Sequence, residues 1–118
     1  MTHDEMRLWL IDYLVNENDE YNGIHIPEDC NGQWRLLRSL MNVRPALPIG
    51  EEFLSVQDEF LSEEIARKGI TDIASLSEYE GGIYLWQGDI TTLKCSSIVN
   101  AANSGMTGCY HPCHGCID

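Results

Sequence analysis

Basic side chains are scarce: 7 lysines and arginines stand against 19 aspartates and glutamates in 118 residues, for a net charge of −12. A surface of that sign releases no counterions from a phosphate backbone, which excludes direct nucleic-acid binding. The charge itself reads as a solvated acidic face that aids solubility. No apolar run approaches the ~20 residues of a membrane span. The opening "MTHDEMRLWLIDYL" has no basic region followed by an apolar stretch, so it is not read as a signal peptide. Five cysteines is an odd number. Without an export signal they point to the reducing cytosol, where disulfides are disfavoured. Neither an internal repeat nor a low-complexity tract is present. What remains is a single modest domain at most, with 43% apolar residues, too many for a disordered polymer.

The pattern changes along the chain. Residues 1–80 hold 17 acidic and 6 basic side chains, residues 81–118 only 2 and 1. The first part reads as helices. "THDE", Thr2 to Glu5, matches a capping box, and Met6, Leu10 and Leu14 recur at four-residue steps beside Trp9 and Tyr13. A second helix is predicted from about Gln33 to Asn42, with Trp34, Leu37, Leu40 and Met41 on one face. Pro45 pushes Arg44 out of helical geometry and should end it. "RPALPIG" is then an extended connector. A third helix starts near Glu51, turns Phe53, Phe60, Leu61 and Ile65 inward, and closes on Arg67, Lys68 and Gly69. From Gly82 short apolar runs take over. Ile83 to Trp86 reads as one buried strand and the stretch around Ile98 and Val99 as another, parallel, with a site at their C-terminal ends.

Three stretches carry chemistry. In "QGDIT", Gly88 would let a backbone approach a ligand, the Asp89 carboxylate can accept from an exocyclic amine, and the Ile90 amide can donate beside it. An ordinary Gly-Asp turn explains the same residues. In "VNAANSG", two alanines leave room for a ligand and Asn103 offers both donor and acceptor. A helix N-cap at Asn103 or Ser104 explains it equally well. The closing "GCYHPCHGCID" gathers Cys109, His111, Cys113, His114 and Cys116, all able to bind zinc. A closed structural site takes four ligands, and the other cysteines, Cys30 and Cys95, are isolated. A catalytic-type site with three protein ligands and an open position needs this segment alone. The Cys113–Cys116 pair also fits a redox motif, but the thioredoxin-like strand before it is missing. The ranking is metal first, redox second, free buried thiols third.

Taken in order, "LWQGDIT", "SIVNAANSG" and "GC-x-x-P-x-H-x-C-I-D" resemble the zinc-containing macrodomains, protein-ADP-ribose hydrolases of bacteria and some fungi. The lead-in "LLRSLMNVRPALPI" and "EEFLSVQDEFL" is similar to the N-terminal extension of that group. The resemblance implies a three-layer α/β/α sandwich with an acidic helical extension over residues 1–80 and the start of the macrodomain at 81–118. It implies that Asp89 holds the adenine amine with the Ile90 amide beside it, and that Asn103 faces the distal ribose. Cys109, His114 and Cys116 would bind one Zn2+, which leaves a fourth position for a ribose hydroxyl or water. Ile117 and Asp118 would line the distal ribose, with Asp118 positioning or activating water. The reaction implied is hydrolysis at the distal ribose C1″, with ADP-ribose and ADP-ribosylated protein as ligand and substrate.

Only 36 residues follow Gly82, short of the roughly 100–150 of a domain. The resemblance therefore leads us to expect the N-terminal part of a longer protein, whose isolated first strands neither hydrolyse ADP-ribosyl protein nor bind ADP-ribose tightly. Micromolar ADP-ribose binding in calorimetry would refute that. Cys109→Ala and Cys116→Ala should each abolish stoichiometric zinc in a complete protein, and Cys113→Ala should not. Two other classes compete with the hydrolase: an ADP-ribose reader without turnover, and a small zinc or redox interaction module.

Overall fold

Thr2 sets where the first helix begins. In a computed structural model describing residues 1–113, its hydroxyl accepts from the Glu5 amide at 3.3 Å while the Glu5 carboxylate accepts from the Thr2 amide at 2.7 Å. That reciprocal pair is the capping box the sequence spelled out, and α1 runs His3–Asn16 behind it. Helix α2, Cys30–Val43, starts three residues earlier than the periodicity predicts, because Asp29 accepts from the Gly32 amide at 2.7 Å and caps it there. It ends at Arg44, which the following proline holds in an extended conformation. Helix α3, Glu51–Lys68, closes on Gly69 at φ 87°, a left-handed stop that costs glycine nothing. Among the described residues no helix is long and apolar enough to cross a membrane.

The chain divides into two compact units: Met1–Phe60 together with the stretch from Asn100 onward, and Leu61–Val99. The first holds the core. Met6, Leu10, Ile11 and Leu14 of α1 are buried with Leu37 and Leu40 of α2 and with Phe53, Val56 and Phe60 of α3. The Phe60 ring stacks on His3 at 4.4 Å and lies 5.6 Å from Trp34, while Phe53 meets Tyr13 at 4.8 Å. Buried Arg7 is matched rather than stranded: its Nε donates to Gln33 Oε1 at 3.0 Å, and it pairs with Asp4 at 2.9 Å.

The second unit is built from small sheets. β1 (Thr71–Asp72) pairs in parallel with β4 (Leu93–Lys94), and β2 (Glu78–Glu80) pairs antiparallel with β3 (Ile83–Tyr84) across Gly81 and Gly82, both at positive φ. The architecture is thus mixed helix and sheet, and strands begin at Thr71, before residue 80. The sequence overestimated the strands themselves. Ile83 to Trp86 is not a buried parallel strand: two of its residues pair, antiparallel, and Ile83, Tyr84 and Leu85 are more than half exposed. Ile98 and Val99 lie in no strand, and Val99 is 92% exposed. A short apolar run becomes a buried strand only with neighbours on its edges and cover on its faces. The partner of Ile83–Tyr84 is the charged, exposed Glu-Tyr-Glu of β2, which pairs with one edge and covers no face.

Candidate functional site

Asp89 is held by its own neighbours. It precedes a 3-10 turn, Ile90–Thr92, and its Oδ1 accepts from the Thr91 hydroxyl at 2.6 Å and the Thr91 amide at 3.0 Å. Oδ2 accepts from Lys68 Nζ at 3.2 Å. The Thr91 hydroxyl first, then its amide and the Lys68 ammonium, pull the Asp89 carboxyl down to about 2. The group is therefore anionic at neutral pH. A carboxylate has about four acceptor sites, and these contacts leave one direction on Oδ2 for an outside donor. Ile90, half-buried, lines an open apolar groove of about 910 Å³ with Ile73, Leu76, Tyr84 and Trp86.

Gly88 does let a group come close to the backbone. What approaches its Cα is the indole of Trp86, into which any Cβ would run. The glycine thus lets Trp86 fold over the backbone beside Asp89. Thr91 and Lys68, the holders of Asp89, were not foreseen from the sequence. Asp-x-Thr is legible as a side-chain-capped turn, whereas the lysine, 21 residues away, leaves no local signal.

Asn103 organises a loop in the other unit. Its Oδ1 accepts from the Gly105 amide at 3.0 Å and the Thr107 amide at 3.4 Å, and its Nδ2 donates to the Gly108 carbonyl at 2.7 Å. No helix follows it, so the N-cap alternative is not what the structure adopts. Its amide instead fixes the carbonyl immediately before Cys109. Met106, Tyr110 and Cys113 take positive φ in this stretch, alongside Gly108 at 78°.

Of the expected zinc ligands, Cys109 is described, as a half-buried thiol outside any disulfide; His114 and Cys116 lie outside the described residues, as do Ile117 and Asp118. Among the described residues no three acidic, cysteine or histidine side chains gather as a metal site. The donor set fits the ion chemically, since two thiolates and an imidazole suit zinc. The Cys113 sulfur contacts the Arg35 carbonyl at 3.0 Å and Ser39 Oγ at 2.9 Å, both on α2. Asp89 and Ile90 thus share one unit, and Asn103 and Cys109 share one loop in the other.

No family model matches the chain. It is similar to curated proteins named protein-ADP-ribose hydrolase. One from Treponema medium is 55% identical over a 122-residue alignment, covering all of this chain and 47% of the relative. One from Staphylococcus aureus strain COL is 45% identical over 113 residues, covering 92% of this chain and 42% of the relative. A protein of Fusarium oxysporum f. sp. cubense named probable bifunctional ADP-ribose hydrolase/ADP-ribosyltransferase is 43% identical over 94 residues, covering 70% and 16%. The chain spans about half the length of the first two.

Proposed function

We propose that this chain provides the adenine-side and metal-side residues of a zinc-type protein-ADP-ribose hydrolase on a macrodomain fold. What supports this is the alignment over the whole chain to a protein named protein-ADP-ribose hydrolase, together with the order in which QGDIT, VNAANSG and the cysteine cluster occur. On this reading residues 1–80 are an acidic helical extension and 81–118 open the macrodomain. The anionic Asp89 receives the adenine amine on its remaining acceptor direction, and the Ile90 amide sits next to it. Asn103 faces the distal ribose through the loop it holds. Cys109, His114 and Cys116 bind the ion, Ile117 packs on the ribose, and Asp118 holds the water that attacks C1″. When bound, zinc would fix and polarise a ribose hydroxyl. An odd number of cysteines suits a reducing cytosol.

A chimera tests this. Residues 1–118 replace the matching half of the Treponema medium relative, and free ADP-ribose released from a modified protein is measured beside the 118-residue chain alone. The chimera should turn over and lose activity on Cys109→Ala, while the chain alone does not. A folded, zinc-loaded chimera that releases nothing refutes the assignment.

A further inference from the structure

The loop after Asn103 is tied back to α2 by groups that the roles above leave unused. Asn42 Nδ2 donates to the His111 carbonyl at 2.9 Å. The Cys113 sulfur sits 3.0 Å from the Arg35 carbonyl and 2.9 Å from Ser39 Oγ, and the Ser39 hydroxyl donates to that same carbonyl at 2.8 Å. Residues 35, 39 and 42 follow at steps of four and three, which places them on one face of the helix. The His111 ring nitrogen Nδ1 lies 2.8 Å from the Cys109 carbonyl, so the same tie reaches the first cysteine of the cluster. From the other side, Asn103 holds the Gly108 carbonyl. Cys109 is therefore bracketed by two restrained neighbours.

The backbone of this segment needs holding. Tyr110 and Cys113 sit at φ 54° and 49°, in the left-handed region that a side chain bearing a Cβ adopts only when its surroundings fix it. The bonds from α2 fall at His111 and Cys113, between and upon those two positions.

We infer that Ser39 and Asn42 are positioning residues for the Cys-x4-His-x-Cys loop, with Cys113 as the counterpart that docks on them. This rests on the zinc assignment proposed above and adds to it. Cys113 becomes the latch rather than a competing ligand, because its polar contacts lie on the helix. Helix α2, within the acidic extension, becomes part of the metal site. Ligands carried on a loop keep their geometry only through such outer contacts, and loss of one commonly weakens metal binding by about tenfold or more.

The test uses the full 118-residue chain purified with zinc. Zinc per chain is read by native mass spectrometry, and the rate of zinc loss by a chromophoric chelator. Asn42→Ala and Cys113→Ala should keep one zinc and lose it about tenfold faster. Cys113→Ser, which keeps a donor for the Arg35 carbonyl, should return the rate towards that of the parent. Asp29→Ala weakens the N-cap of the same helix without reaching the loop, so it should lower the melting temperature and leave zinc loss unchanged. A parent that holds one zinc, with variants that release it at the parent's rate, overturns the latch and spares the metal assignment. Equal acceleration by Asp29→Ala also overturns it, by reducing the contacts to general stability. A correctly folded parent without zinc refutes the metal assignment and takes the latch with it.

Discussion

Replacing Arg44 by alanine should cost this protein more stability than losing an ordinary surface charge. The guanidinium bonds Glu17 with two parallel contacts, Nε to Oε2 at 2.7 Å and Nη2 to Oε1 at 2.9 Å. Its remaining donors reach the carbonyls of Pro45, Leu47 and Pro48 at 3.3, 3.0 and 3.1 Å. One side chain thereby joins the end of α1 to the connector between α2 and α3. The arginine side chain is 16% exposed and the glutamate 31%, so the pair is shielded more than a surface bridge worth about 0–1 kcal/mol. Bonds to charged groups contribute about 1.5–3 kcal/mol when partly buried. The connector carbonyls can turn to water, so they add little, and Arg44→Ala should cost about 2 kcal/mol. With a urea slope of about 1–3 kcal/mol per molar, the midpoint should fall by about 1 M. Lysine cannot reproduce the two-pronged contact, and Arg44→Lys should recover less than half.

The same pair fixes a pH signature. The Arg44 hydrogen bond holds the Glu17 carboxyl below its ordinary value of 4.5. A folded-state value below the unfolded one stabilises the fold above pH 4.5 and is lost as pH falls through the folded value. The gap between parent and Arg44→Ala should therefore be constant from pH 8 to 5 and close as pH drops below about 4.5. Urea titrations followed by circular dichroism at several pH values measure both effects. Midpoints within about 0.3 M of each other at pH 7, or a gap that ignores pH, would refute the reasoning.

Three further outcomes follow from local geometry. Thr2→Ala removes one half of the capping box and should cost about 1 kcal/mol, with faster hydrogen exchange at the Glu5 amide; unchanged exchange there sinks it. Gly88→Ala puts a methyl group into the Trp86 indole, so tryptophan emission should shift to longer wavelength. Adding Trp86→Phe should abolish that difference, and a shift that survives would assign it to another tryptophan. Asp89→Asn in the chimera should weaken ADP-ribose binding about tenfold or more, the worth of one bond to a charged acceptor. Because the Asp89 carboxyl is held at about 2, calorimetry between pH 8 and 5 should show no step from this group, and a titration step absent from Asp89→Asn would contradict the hold by Thr91 and Lys68.

Which features the sequence revealed follows the range of the forces that make them. Helices are set by neighbours three and four residues apart, so Thr2 with Glu5, the Met6–Leu10–Leu14 stripe and the stop at Arg44-Pro45 were all legible. Even there, Asp29 was missed as a cap because the polar stretch before Gln33 hides its onset, and Val56 was missed beside Phe53 and Phe60. Strands depend on partners elsewhere in the chain. The apolar content of Ile83–Trp86 said that it could be buried, but nothing in those four residues says what would cover them. Among the candidate residues, the sequence named Asp89 in one unit and Asn103 and Cys109 in the other, each a side chain with chemistry of its own. It did not reveal Lys68, Ser39 or Asn42, whose parts depend on distance in space alone.

Helix α2 and the loop up to Cys113 are then joined directly within one unit. Asn42 and Ser39 touch residues 69 and 74 positions further along, and the loop they meet is held in left-handed backbone at Tyr110 and Cys113. Such a conformation persists because its surroundings determine it. If α2 were a passive appendage, weakening the helix at its contact face would leave the backbone of the loop as it is. The bonds from Asn42 and Ser39 predict the opposite: removing them should let the left-handed backbone at Tyr110 and Cys113 relax.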